Sequence, residues 1–106
     1  MRIIETTKYK KACKKILRYK KDETRKLENI KNLIISKNNF YEVLCDEYKK
    51  VYRIEKKSGN LKEYYTAHLN SKIRLIMKPI GNYPYNTIEI TDIEFVNIDD
   101  THYGEG

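Results

Sequence analysis

The stretch KIRLIMK, residues 72–78, decides the fold. Ile73, Leu75 and Met77 fall on one side of an extended chain and Arg74 and Ile76 on the other, the two-residue period of a β-strand. A strand with one wholly apolar face needs cover there and can leave its other face open. Pro79, Gly81 and NYPYN (82–86) mark a turn after it. Further on, TIEITDIEFVNI (87–98) reads as the last strand. Ile88 and Ile90 share one parity while Ile93 and Phe95 have the other, which predicts a β-bulge near Thr91 and Asp92 or two short strands. Before the central strand, VYRIE (51–55) and LKEYYTAHL (61–69) carry the β-branched and aromatic residues of strands, separated by the turn signal KKSGN.

The first half of the chain has a different period. MRIIET (1–6) is a short strand built on Ile3 and Ile4. In the stretch that follows, TKYKKACKKILRYKK (7–21), Tyr9, Ala12, Cys13, Ile16 and Leu17 recur at helical spacing. Lys8, Lys11, Lys15 and Arg18 form a basic ridge on another face, with Lys10, Lys14 and Lys21 beside it. Asp22 is a candidate N-cap for a second helix with Leu27, Ile30 and Ile34 as its buried stripe, ending near KNN (37–39). Asn39 and Glu42 make a capping-box variant before a third helix that uses Phe40, Val43, Leu44 and Tyr48. The order is thus one N-terminal strand, two or three helices, then a curved antiparallel sheet. That is an α+β fold, a single domain over residues 1–106, with helices on one sheet face and the other face free to hold a site.

A chain of 106 residues can bury one core without disulfides or metal. Cys13 and Cys45 sit in helix-like patterns without metal or redox spacing, and read as core thiols in a reducing compartment, a single bridge being the alternative. No apolar run approaches a membrane span and MRIIETTKYK has no signal-type stretch, so a cytoplasmic protein is expected. The net charge of +7 is uneven: residues 1–31 hold twelve Lys/Arg and four Asp/Glu, whereas residues 87–106 hold six acids and no Lys or Arg. A basic excess on one element attracts polyanions, nucleic acid above all, or an acidic protein.

The chain ends IDDTHYGEG (98–106). A strand, two helices with a basic face, a sheet containing RLIM (74–77) and a histidine–aromatic pair after the last strand resemble the RelE/YoeB/HigB superfamily of bacterial toxins, part of the wider RelE/ParE group, over nearly the whole chain. Arg74, His102 and Tyr103 match the arginine of the RLxY-type segment and the closing pair of the YoeB branch. This sequence departs from that pattern at Met77, in the three residues after Tyr103, in Asp99 and Asp100, and in the segment around 39–50.

The resemblance implies an endoribonuclease that cuts mRNA, on or off the ribosome, without metal or other cofactor, and that is paired with a small acidic antitoxin. Cutting RNA through its own 2′-OH needs a base, an acid for the 5′-oxygen and a fixed cation for the phosphorane. Arg74 suits the phosphate because its guanidinium forks onto two oxygens. His102 is a candidate general acid, with Asp99 or Asp100 favouring its charged form. Tyr103 would stack on a base or orient the phosphate. Glu63 and His68 are the candidate bases. Lys8, Lys11, Lys15 and Arg18 would hold RNA phosphates, and Tyr64 and Tyr65, with Tyr83 and Tyr85 nearby, would stack on unpaired bases. Two other classes stay open: a ParE-like inhibitor of a protein such as a DNA topoisomerase, and a non-catalytic nucleic-acid- or protein-binding module.

Overall fold

The computed structural model describes residues 1–100. Its elements are β1 (Arg2–Glu5), α1 (Thr7–Ile16), α2 (Lys21–Ile35), α3 (Phe40–Cys45), α4 (Tyr48–Val51), β2 (Glu55–Lys56), a 3₁₀ turn (Gly59–Leu61), β3 (Tyr65–His68), β4 (Ile73–Pro79) and β5 (Asp92–Asp100). The strands form one five-stranded sheet in the order β1-β5-β4-β3-β2. Strands β2 to β5 pair antiparallel, as consecutive strands should, and β1 adds to β5 in parallel, so the sheet is mixed. Parallel pairing needs a long crossover, and here everything between β1 and β5 supplies it.

The alternation of KIRLIMK holds residue for residue. Ile73, Leu75 and Met77 are buried, and Arg74, Ile76 and Lys78 lie on the opposite face. The buried face meets Tyr9 of α1, Ile30 and Ile34 of α2, and Phe40 and Val43 of α3. Edge-on ring contacts tie helices to sheet, Tyr9 to Phe95 at 5.4 Å and Phe40 to Tyr65 at 4.8 Å. The Asn39 side chain accepts the Glu42 N–H and so caps α3 as its sequence predicts.

Four expectations are corrected. VYRIE is not a strand: the Tyr52 and Arg53 N–H groups donate to Tyr48 and Lys50 carbonyls and close α4, leaving only Glu55–Lys56 to pair with β3. Residues 87–90 are not strand either, because their carbonyls serve a helix end. Phe40 N–H donates to Ile90 O (2.9 Å) and Tyr41 N–H to Thr87 O (3.0 Å), satisfying donors that the first turn of α3 cannot pair internally. Ile90 is buried by this turn, and its Cδ1 lies where a side chain on Gly81 would stand, 2.6 Å from an added Cβ. The N-cap of α2 is Lys20 rather than Asp22. Cys45 is exposed and Cys13 half-buried, both as free thiols, so Cys45 is no core residue.

The bulge expected near Thr91 and Asp92 lies instead further along, within the continuous strand β5. Met77 pairs with Phe95 and Ile76 with Asn97, which leaves Val96 as the extra residue. Thr6 clamps this point. Its N–H donates to Phe95 O (3.2 Å), its hydroxyl shares a proton between the Phe95 and Val96 carbonyls (3.2 and 3.0 Å), and the same oxygen accepts Tyr9 N–H (3.0 Å) as the N-cap of α1. The first turn of α1 is therefore pinned to the bulge.

Candidate functional site

On the face of the sheet away from the helices, β4 contributes Arg74 and Ile76, β3 contributes Thr66 and β5 contributes Asn97 and Asp99 to the floor of a cleft of about 280 Å³. Lys57, Leu61 and Tyr64 line one side, and Lys8 and Val96 the other. Lys8 reaches the cleft because the Thr6 clamp brings the start of α1 to Val96. Three cations, Lys8, Lys57 and Arg74, thus surround a small concavity with the neutral donors Thr66, Tyr64 and Asn97 among its walls and Asp99 at the Cα position paired with Arg74. Fixed cations in partial shelter from water, as these are, can hold an anionic group such as a phosphate.

Arg74 stands between His68 on β3 and Asp99 on β5, each its direct cross-strand partner. Its Nε is buried and, among the described residues, has no hydrogen-bond partner. An orphan buried donor costs stability unless a ligand satisfies it. His68 is half-buried on the same open face, beside Arg74 but not among the residues that line the cleft, and its backbone N–H donates to Tyr52 O (2.8 Å). Burial, followed by the Arg53 and Arg74 charges, holds its imidazole below the ordinary value of 6.5, so the neutral, proton-accepting form dominates at neutral pH.

Of the other residues singled out in the sequence, Tyr64 is half-buried and lines the cleft, whereas Tyr65 is only 7% exposed and packs on Phe40. Tyr65 cannot stack on RNA, because its pairing with Met77 puts it on the core face. Glu63 is outside the cleft and pairs with Lys78 (3.8 Å), four residues or roughly 13 Å along β4 from Arg74, too far to share its chemistry. Tyr85 donates to the Glu63 carbonyl (2.7 Å) and meets Tyr83 edge-on, so these two tyrosines belong to that end as well. The basic ridge divides: Lys8 faces the cleft, Arg18 joins Lys10 and Lys14 along the groove between α1 and α2, and Lys11 and Lys15 stand exposed. His102 and Tyr103 lie outside the described residues. Lys57 and Asn97 were not foreseen. Strand parity gives Asn97 only once the bulge is placed, and Lys57 follows the edge strand in a turn with no periodic signal.

No described helix is long and apolar enough to cross a membrane. No family model matches the sequence, and no curated protein matches it significantly. Among solved structures, the chain is similar to YafQ from E. coli (18% identity, all of both chains covered, TM-score 0.67). It is similar also to a chain of the E. coli DinJ-YafQ toxin-antitoxin complex (20% identity, 98% of this chain and 96% of that one, TM-score 0.64). A YoeB/ParE toxin from Agrobacterium tumefaciens shares 11% identity over 94% of this chain and 98% of its own, with a TM-score of 0.58. The α+β arrangement built above is the RelE-like fold of these toxins.

Proposed function

We propose that this chain is the toxin of a toxin–antitoxin pair and cleaves mRNA as a metal-independent endoribonuclease. The observation that carries the reading is the three-cation cleft around Arg74 on the open sheet face; the fold shared with YafQ and the YoeB/ParE toxin supports it. In the reaction, the 2′-oxygen forms a bond to phosphorus and the bond from phosphorus to the 5′-oxygen breaks. Arg74 forks onto the non-bridging oxygens, with Lys8 and Lys57 adding charge to the phosphorane. Neutral His68, next to Arg74, takes the 2′-OH proton, and Tyr64 stacks on the flanking base. His102 gives a proton to the leaving 5′-oxygen.

Purified protein incubated with RNA in EDTA tests this reading. Products ending in 2′,3′-cyclic or 3′-phosphate, with 5′-OH partners, are expected. Intact RNA, free or on ribosomes, would return the chain to the ParE-like or binding-module classes. The DinJ-YafQ toxin-antitoxin complex supports an antitoxin partner for a protein of this fold. A small acidic protein docking on the basic surface of α1 would be attracted by the excess cations there and would exclude RNA from Lys8 and the cleft.

A further inference from the structure

The turn between α1 and α2 carries an aromatic residue for which the fold has no use. Tyr19 is 86% exposed, and its backbone sits at φ +64°, the left-handed region that favours glycine or asparagine. Arg18 stacks over its ring at 5.1 Å. Residues 14–21, KKILRYKK, hold Lys14, Lys15, Arg18, Lys20 and Lys21 and no acid. All five cations are exposed, and among the described residues none of them forms an ion pair. The nearest acid in sequence, Asp22, faces Arg25 at 3.9 Å. A bulky side chain that is strained and solvated, with Arg18 over its ring and Lys20 and Lys21 beside it, is placed for a ligand rather than for packing.

Resting on the RNA reading above, we infer that the Arg18–Tyr19 tip is a second RNA contact, in which an unpaired base stacks on the Tyr19 ring and the surrounding lysines take the flanking phosphates. Stacking supplies an apolar face that any base can use, and the cations supply charge complementary to the backbone. Lys8 at the cleft and Arg18 at the tip are ten residues apart on the α1 segment, roughly 15 Å, with exposed Lys11 and Lys15 between them. An RNA held in the cleft can therefore run along α1 to the tip within about four or five stacked nucleotides at ~3.4 Å each. The ring favours a single-stranded nucleic acid over an acidic protein segment, since every base offers it a face to stack on.

The test is the binding of a 2′-O-methyl RNA of about twelve nucleotides, uncleavable and longer than the ~15 Å reach, to wild type, Tyr19→Gly and Tyr19→Phe, with thermal unfolding of each protein. Tyr19→Gly should weaken binding about tenfold, within the range for losing one stacked base; Tyr19→Phe should bind as wild type, and the melting temperature of Tyr19→Gly should not fall because the strained φ suits glycine. The gap between wild type and Tyr19→Gly should close for a dinucleotide. Equal binding of the long RNA by wild type and Tyr19→Gly overturns the inference and leaves the nuclease reading standing. A lowered melting temperature that accounts for the binding loss also overturns it, by making Tyr19 structural. Loss of an acidic protein partner in Tyr19→Gly with RNA binding intact assigns the tip to protein instead. Wild type that neither binds nor cuts RNA removes the reading itself.

Discussion

Replacing Arg74 with lysine separates a phosphate clamp from a structural arginine. The lysine keeps the positive charge between His68 and Asp99 but loses the planar fork and the Nε–H, which is buried without a partner among the described residues. An orphan buried donor costs about 1–3 kcal/mol, so removing it should leave the folded state as stable as before or slightly more so. At roughly 4–8 °C per kcal/mol for a domain of this size, any gain is at most a few degrees after lost packing is subtracted. Activity should move the other way. Losing one preorganised donor to a transition-state oxyanion costs about 10²–10³ in rate, and retained charge recovers part of that, so single-turnover cleavage should fall about ten- to a hundredfold. The assay is single-turnover cleavage of a defined RNA in EDTA beside a melting curve of the same preparation. Cleavage equal to wild type, or a melting temperature several degrees lower that explains the lost activity, would show that Arg74 is held for the fold.

Other outcomes follow from neighbouring geometry. His68 is held below its ordinary 6.5, so below that pH the unfolded chain binds the extra proton first; its contribution to stability is full above pH 6.5 and is lost as pH falls from there toward the folded-state value. His68→Gln should flatten this acid-side decline in denaturation experiments and remove the matching acidic limb from the pH–rate profile; an unaltered limb would exclude His68 as base. His102→Ala should lower cleavage by about 10²–10⁴ with an unchanged melting curve, whereas full activity would remove the terminal histidine from the chemistry. Thr6→Ala loses the α1 N-cap and the clamp on Val96 and should cost about 1 kcal/mol, read as a lower melting temperature that Thr6→Ser restores.

Where a segment's own side chains decided its structure, the sequence was readable. KIRLIMK needed only its alternation, and α1 and α2 only their apolar stripes, to show strand, helices and the face on which Arg74 would stand. The failures lie where backbone hydrogen bonding or register, rather than side-chain composition, decided the structure. TIEI has the composition of a strand, but its carbonyls at Thr87 and Ile90 are taken by the N-terminus of α3, nearly fifty residues away. VYRIE has strand-forming residues, but closing α4 uses its first N–H groups. Tyr64 and Tyr65 were indistinguishable as a pair, since a one-residue register decides which of them faces Met77 and the core. Local pattern gave Arg74 its face; it could not say that Glu63 would be drawn to Lys78.

The Val96 bulge explains how the fold makes the site. In β5, Ile93 and Phe95 are buried at odd positions and Ile98 at an even one, a conflict of parity that a regular strand cannot hold. One extra residue at Val96 resolves it, and the same step turns Asn97 and Asp99 to the open face beside Ile76 and Arg74. In a regular strand these two would point into the core and Ile98 into the cleft. The carbonyls at the irregular step are the ones Thr6 engages, and Thr6 is also the N-cap that starts α1 and sends Lys8 over the cleft. One backbone irregularity therefore sets the core packing of Ile98, the polar floor of the cleft and the position of a cation on its wall. Deleting Val96 should accordingly do more than destabilise: a variant that still folds would have to choose between burying Ile98 and exposing Asn97, and RNA cleavage should be lost even where helical content by circular dichroism survives. Cleavage retained in a folded Val96 deletion would show that the cleft does not depend on the bulge.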